Sequence, residues 1–221
     1  MLDAAKYSDA SACGNEIASE KPMVRKYIID SLCYWASEYH IDGFRFDLMG
    51  VLDIETLNEA RKALLKINPD IIMYGEGWTG GESTLPESER GMKINAPRTP
   101  GIGMFSDDIR DAVKGHVFYM DELGFVNGAA DRGEELKQAV TCAKWAKSPM
   151  QSINYLSCHD NYTLWDRFII SNSHESEEMR IRMNKLAAAI LFTAQGIPFF
   201  LHGEEFARTK ISEADGAPVE N

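Results

Sequence analysis

Residues 42–50 read Asp-Gly-Phe-Arg-Phe-Asp-Leu-Met-Gly, and the alternation in this stretch decides the fold class. Side chains of an extended strand repeat with period two, so Phe44 and Phe46 share one face while Gly43, Arg45 and Asp47 share the other. Two aromatics on one side need a hydrophobic layer. The arginine and aspartate on the opposite side form a charged pair, expected to point away from open water. A strand that buries both faces belongs to a parallel sheet or barrel covered by helices. A carboxylate at the carboxyl end of such a strand is either an ion pair closing the strand or part of a site, because barrels of this kind keep their chemistry there.

Strands and helices alternate outward from this run. Val24, Ile28, Leu32, Trp35 and Tyr39 form a helical stripe ending near His40, with Ser19 as a plausible cap and Pro22 in the first turn. The strand Ile41 to Asp47 follows at once. A helix from about Asp53 to Ile67 turns Leu57, Ala60 and Leu64 inward and stops at Asn68-Pro69. Ile71 to Glu76 reads as a short buried strand, and a Gly-, Pro- and Ser-rich loop runs from Trp78 to about Gly101. Gly103 to Phe105 reads as a strand, and Asp107 as the cap of a helix through Val113. Further helices are expected over 134–146 and from Glu177 to Thr193, and further strands from Ser152 to Cys158 and from Ile197 to Leu201. This order predicts crossover units and a parallel α/β sheet.

Three strand ends carry acids. Asp47 is the first. The second is Gly75-Glu76-Gly77-Trp78, and the third is Ser157-Cys158-His159-Asp160-Asn161. Each alone could be a cap or a surface acid. Three acids at the same end of parallel strands would converge, and like charges held together at a cost imply a use. Retaining glycoside hydrolysis is one such use: it needs a nucleophilic carboxylate and a protonated carboxyl roughly 5 to 5.5 Å apart. Asp47, held by Arg45, suits the nucleophile. Glu76, beside that charge and partly screened from water, is expected to titrate above the usual carboxylate range and to protonate the leaving oxygen. Asp160 suits sugar hydroxyls and the positive charge developing at the anomeric carbon. Trp78 offers a flat face for a pyranose ring.

Composition bounds the alternatives. At 221 residues, 44% hydrophobic and 10% aromatic, the chain has enough apolar material for a domain with a core. A net charge of -11 argues against nucleic acid or an anionic membrane surface as partner. No apolar run reaches the length of a membrane span. Met1 to Ser11 is polar and lacks the basic start and apolar core of a signal peptide, which leaves cytoplasmic and secreted locations both open for a parent protein. Cys13, Cys33, Cys142 and Cys158 match neither a zinc site nor a redox pair, and buried free thiols are expected at Cys33 and Cys158. His202 and Glu204-Glu205 read as a strand-end hydrogen-bond network rather than a metal site.

Asp42 to Gly50, Tyr74 to Trp78 and Ser157 to Asn161 resemble three signature segments of the alpha-amylase family of glycoside hydrolases. Gly196 to Phe206 resembles the family's eighth strand. Within the family, Phe-Asp-Leu-Met-Gly, Gly-Glu-Gly-Trp and the stretch from Cys13 to Glu20 resemble type I pullulanases. The resemblance implies a partial (β/α)8 TIM barrel, roughly strands four to eight. It implies Asp47 as nucleophile, Glu76 as acid/base and Asp160 as transition-state stabiliser. Arg45 would orient the nucleophile, and His159, with Asn161 and Trp78, would bind substrate. Asn15 and Trp165 would line the cleft. The implied reaction is cleavage of α-1,6-glucosidic branches in pullulan, amylopectin or glycogen. Isoamylase-type debranching and a non-catalytic glucan-binding relative are the alternatives. No cofactor is implied as required. Calcium occurs in the family, but no ligand set can be assembled here.

The family's third-strand signature and its Tyr-Asn-Trp-Gly-Tyr-type motif are absent. So are a helix after the eighth strand and a C-terminal β-domain. Residues 1–221 are therefore expected to form part of a catalytic barrel, missing upstream strands and inactive alone, since an intact barrel takes about 250 residues.

Overall fold

In the computed structural model, which describes residues 7–212 and 216–220, the decisive stretch forms strand β1 over Gly43–Phe46. The chain divides into two compact units, each with its own core. One runs to Phe105 and adds Trp145–Gln151; the other comprises Ser106–Lys144 and the chain from Ser152 onward. The polar start of the chain lies in part, at residues 1–6, outside the described residues.

In the first unit, helix α1 spans Pro22–Glu38, α2 spans Ile54–Leu64, and β2 and β3 span Ile72–Gly75 and Gly103–Ser106. β1 pairs parallel with β2, and β2 with β3. Phe44 and Phe46 pack against a core of Met49, Leu57, Ala60, Leu64, Met73 and Met104, the hydrophobic layer that the alternation required. Between β2 and β3 the crossover is not an α-helix but the loop with a 3-10 turn over Lys93–Arg98.

α2 forms where periodicity placed it, because its sequence satisfies the ends of a helix as well as its inner face. Asp53 accepts the Thr56 amide at 2.9 Å. Glu55 lies in the first turn and Arg61 and Lys62 in the last, each sign at the favoured end of the helix dipole. Burying Leu57 and Leu64 contributes about 1.5–3 kcal/mol each.

Ser19 does not cap α1. Lys21 is the residue before the helix, with no side-chain cap. Ser19 is buried instead, donating to Asp53 Oδ2 at 2.7 Å and accepting the Asp53 amide at 2.8 Å. The expected stripe on α1 holds in part: Leu32 faces the core with Ile29 and Ala36, while Trp35 and Tyr39 at its end are exposed. Both faces of this helix carry large apolar side chains, so period alone does not choose between them.

Burial works against the charge on Asp53, yet hydrogen bonds from Thr56 and Ser19 and the Arg25 guanidinium outweigh it and hold the carboxyl below its usual range. Its contribution is present above the unfolded-state pKa and is lost as pH falls through the lower folded-state value. Asp53→Ala in the full-length protein is expected to cost about 2 kcal/mol near neutral pH, a cap plus a part-buried ion pair. Denaturant titrations from pH 7 downward should show the gap to wild type closing in acid. A gap that does not change with pH would contradict the assignment.

In the second unit, α3 (Asp107–Lys114), α4 (Gly133–Thr141), α5 (Leu164–Ser171) and α6 (Glu177–Thr193) surround β4 (Ser152–Asn154) and β5 (Ile197–Pro198), which pair parallel. The core comprises Ile109, Val113, Leu156, Phe168, Ala187 and Leu191 among others. Ser106, not Asp107, precedes α3; α4 stops at Thr141, short of the expected 146. The last two strands are shorter than their apolar runs. α5 was not foreseen, although Thr163 accepts the Asp166 amide at 3.1 Å as its cap. All four cysteines are free; Cys158 is buried, Cys33 half-buried and Cys13 exposed.

Candidate active site

Parallel register sets the geometry at the ends of β1 and β2. Phe46 lies opposite Gly75, so the next residues, Asp47 and Glu76, leave neighbouring strands at the same level. Adjacent strands run about 4.8 Å apart. Gly75 makes this register possible: a Cβ there would meet the Phe46 carbonyl oxygen at 2.5 Å. Gly50 does the same for the following turn, where a Cβ would lie 2.3 Å from the Trp78 carbonyl oxygen.

Arg45 is shared. Its Nη1 pairs with Asp47 and its Nη2 donates to Glu76 Oε1 at 2.9 Å. The guanidinium also lies over the Phe105 ring, 5.6 Å from its centroid. One planar cation thus ties both carboxylates together, rather than holding Asp47 alone. The second Glu76 oxygen accepts the Leu48 amide at 2.7 Å. Leu48 can aim that amide because its backbone is left-handed, with φ 43°, a conformation that costs a leucine about 1–2 kcal/mol.

The two acids differ in environment. Glu76 is 3% exposed, while the Asp47 side chain is 62% exposed. The expectation that Asp47 points away from water is therefore corrected: β1 ends at Phe46, and the left-handed turn at Leu48 leaves Asp47 projecting past the strand. Both Glu76 oxygens accept hydrogen bonds, from Arg45 and from the Leu48 amide. Trp78 is half-buried, with Lys93 Nζ 5.7 Å from its ring centroid. Phe105, Leu48 and Lys93 were not anticipated. Gly103-Met-Phe105 was read only as a strand, and a cation over a ring has no sequence spacing to reveal it.

In the second unit, His159, Asp160 and Asn161 follow β4. His159 Nε2 lies 3.5 Å from Asp160 Oδ1, and both side chains are half exposed or more. Asn161 adopts a left-handed φ of 60°. Trp165 lies on α5, and Asn15, in the first unit, is exposed. Below the loop, buried Glu204 accepts the Ser157 hydroxyl, and Glu205 accepts the Gly203 amide at 3.0 Å, the hydrogen-bond network expected after β5. Burial pushes Glu204 up to about 7 against the pull of Ser157 and Lys114. Burial likewise brings Lys114 down to about 7, Arg110 adding to the effect and Glu204 opposing it.

Among the described residues, one trio of metal-binding side chains has its ligand atoms within 4.8 Å: Cys158, His159 and Asp160. A thiol, an imidazole and one carboxylate do not suit calcium, which takes six to eight oxygen ligands.

A family model described as the alpha amylase catalytic domain matches residues 11–220. Pullulanase of Bacillus subtilis (strain 168) is 41% identical over 210 residues, covering 92% of this chain and 29% of that protein. Pullulanase of Klebsiella aerogenes is 32% identical over 250 residues, covering 91% of this chain and 22% of that protein. A crystal structure of pullulanase from Paenibacillus barengoltzii, in complex with maltohexaose and alpha-cyclodextrin, superposes with a TM-score of 0.89 at 49% identity; it covers 94% of this chain and 33% of that one. Pullulanase from Anoxybacillus sp. LM18-11, complexed with maltotetraose, gives 0.90 at 46% identity over 96% of this chain and 30% of that one. The chain thus spans about a third or less of the relatives it matches.

Proposed function

We propose, from the premise that this chain belongs to the alpha-amylase catalytic-domain family, that it is part of a retaining debranching hydrolase acting on α-1,6-glucosidic linkages of pullulan, amylopectin or glycogen. The observation that carries this reading is the Arg45 guanidinium joined to both Asp47 and Glu76 at level ends of neighbouring parallel strands. Neighbouring strands about 4.8 Å apart set the two carboxyls on adjacent strand ends, the placement that a retaining pair, with its carboxyls roughly 5–5.5 Å apart, requires. The pullulanases it resembles, two of them crystallised with maltooligosaccharides, support an α-glucan substrate.

In the proposed reaction an Asp47 oxygen attacks the anomeric carbon. The bond to the leaving O6 breaks, and O6 takes its proton from Glu76. Water then attacks the same carbon, gives a proton to Glu76 and releases Asp47, so two inversions yield retained configuration. Arg45 orients Asp47. The buried, water-poor setting of Glu76 suits a group that must carry a proton to the leaving oxygen and later take one from water. Asp160 and His159 bind sugar hydroxyls, Asp160 also countering positive charge at the anomeric carbon. Asn161 and the exposed part of Trp78 complete the sugar contacts.

Digestion of pullulan by the full-length protein tests this. The expected product is maltotriose, released first as the α-anomer by NMR. Glycogen cleavage with little action on pullulan would favour isoamylase-type specificity. Tight glucan binding with no new reducing ends would overturn the enzymatic reading.

A further inference from the structure

We propose that Lys210 is a positioning residue for Asp160. The inference rests on the reading of Asp160 as the transition-state stabiliser. Lys210 Nζ donates to the backbone carbonyls of both His159 and Asn161, the second at 2.7 Å, and to that of Glu220 at 3.2 Å. The two loop carbonyls flank Asp160, so one ammonium gathers the backbone on either side of it. Three donors on a tetrahedral nitrogen suit three carbonyls converging from different directions.

The clamp is itself anchored. The Lys210 amide donates to Asp166 Oδ2 at 2.8 Å, and Asp166 is fully buried at the start of α5. The same oxygen accepts the Thr163 hydroxyl at 2.8 Å. The Lys210 carbonyl accepts the Val219 amide at 2.9 Å. Backbone and ammonium are thus held at opposite ends of a long side chain.

Asn161 is left-handed, a conformation that asparagine adopts more readily than most residues, and the Lys210 ammonium binds the carbonyl that leaves this turn. Asp160 is half exposed, so side-chain packing does little to fix its direction; the backbone beneath it does.

The test uses the full-length protein and four variants: Lys210→Met, Lys210→Gln, Asp160→Asn and the pair Lys210→Met with Asp160→Asn. Lys210→Met is expected to lower kcat on pullulan roughly tenfold to a hundredfold, the cost of a small misplacement of a reacting group. KM and calorimetric binding of maltotetraose should stay within about threefold of wild type. Lys210→Gln, which keeps a neutral donor, should fall between. Asp160→Asn should be nearly inactive on pullulan, and adding Lys210→Met to it should change residual hydrolysis of maltosyl fluoride little, because both changes act through one group. A kcat for Lys210→Met within about twofold of wild type, beside an inactive Asp160→Asn, overturns the clamp and leaves the site reading intact. So does a fully additive double variant. If Lys210→Met does not unfold cooperatively, Lys210→Gln carries the test, and an unchanged kcat there overturns the proposal. An active Asp160→Asn overturns the site reading itself.

Discussion

Asp47→Asn in the full-length protein is expected to lower pullulan hydrolysis by about 10⁴-fold or more while maltotetraose still binds. The amide matches the carboxylate in size and keeps one oxygen for Arg45, so the pairing at the end of β1 survives in part. Arg45 also keeps its 2.9 Å bond to Glu76, and the Leu48 turn retains its bond to the other Glu76 oxygen. What is lost is a negatively charged oxygen able to form an ester at the anomeric carbon and leave it again. Because the change removes a bond-forming atom and little packing at a side chain that is largely exposed, the loss should fall on kcat. Initial rates of reducing-end release, with calorimetric binding, measure it. A rate within about tenfold of wild type would remove Asp47 from the nucleophile's role.

Glu76→Gln is the second large effect. Loss of a general acid should cost roughly 10²–10⁴-fold on pullulan, where the departing sugar oxygen needs a proton. Fluoride needs much less help to leave, so the glycosylation step on maltosyl fluoride should suffer far less. The second step would still lack its base, and added azide, which requires no deprotonation, should restore turnover as the glycosyl azide of retained configuration. The variant also perturbs structure: only one of its terminal atoms can accept, whereas Glu76 accepts on both, from Arg45 and from the Leu48 amide. That perturbation would slow both substrates alike. Equal losses on pullulan and on the fluoride, with no azide effect, would therefore assign Glu76 a structural role and sink the acid/base proposal.

The parts of the fold legible from sequence are those in which local signals agree. α6 combines the Ser176 cap with acidic residues in its first turn and a core face of Met183, Ala187 and Leu191, so period, cap and charge give one answer. α1 lacks that agreement. Aromatics lie on its outer face and the residue before it is a lysine, so the sequence places Leu32 on the core but misplaces Trp35, Tyr39 and the cap, and Ser19 finds its partner at Asp53 instead. α5 did carry a signal, Thr163-x-x-Asp166, the pattern of a capped first turn. The crossover from β2 to β3 is irregular because Gly, Pro and polar residues there supply no apolar face for a helix to bury.

The sequence by itself determined the order of the strands and of every helix but α5, and the acids at three strand ends, because period-two and period-3.6 patterns are written in neighbouring residues. Only the tertiary structure decided that Arg45 serves Glu76 as well as Asp47, that a left-handed Leu48 turns its amide onto Glu76, and that Lys210 reaches the carbonyls beside Asp160. Each of these depends on strand register or on a contact between residues 28 to 51 positions apart. A repeating pattern fixes which way a side chain faces; it does not fix which distant group will be waiting there.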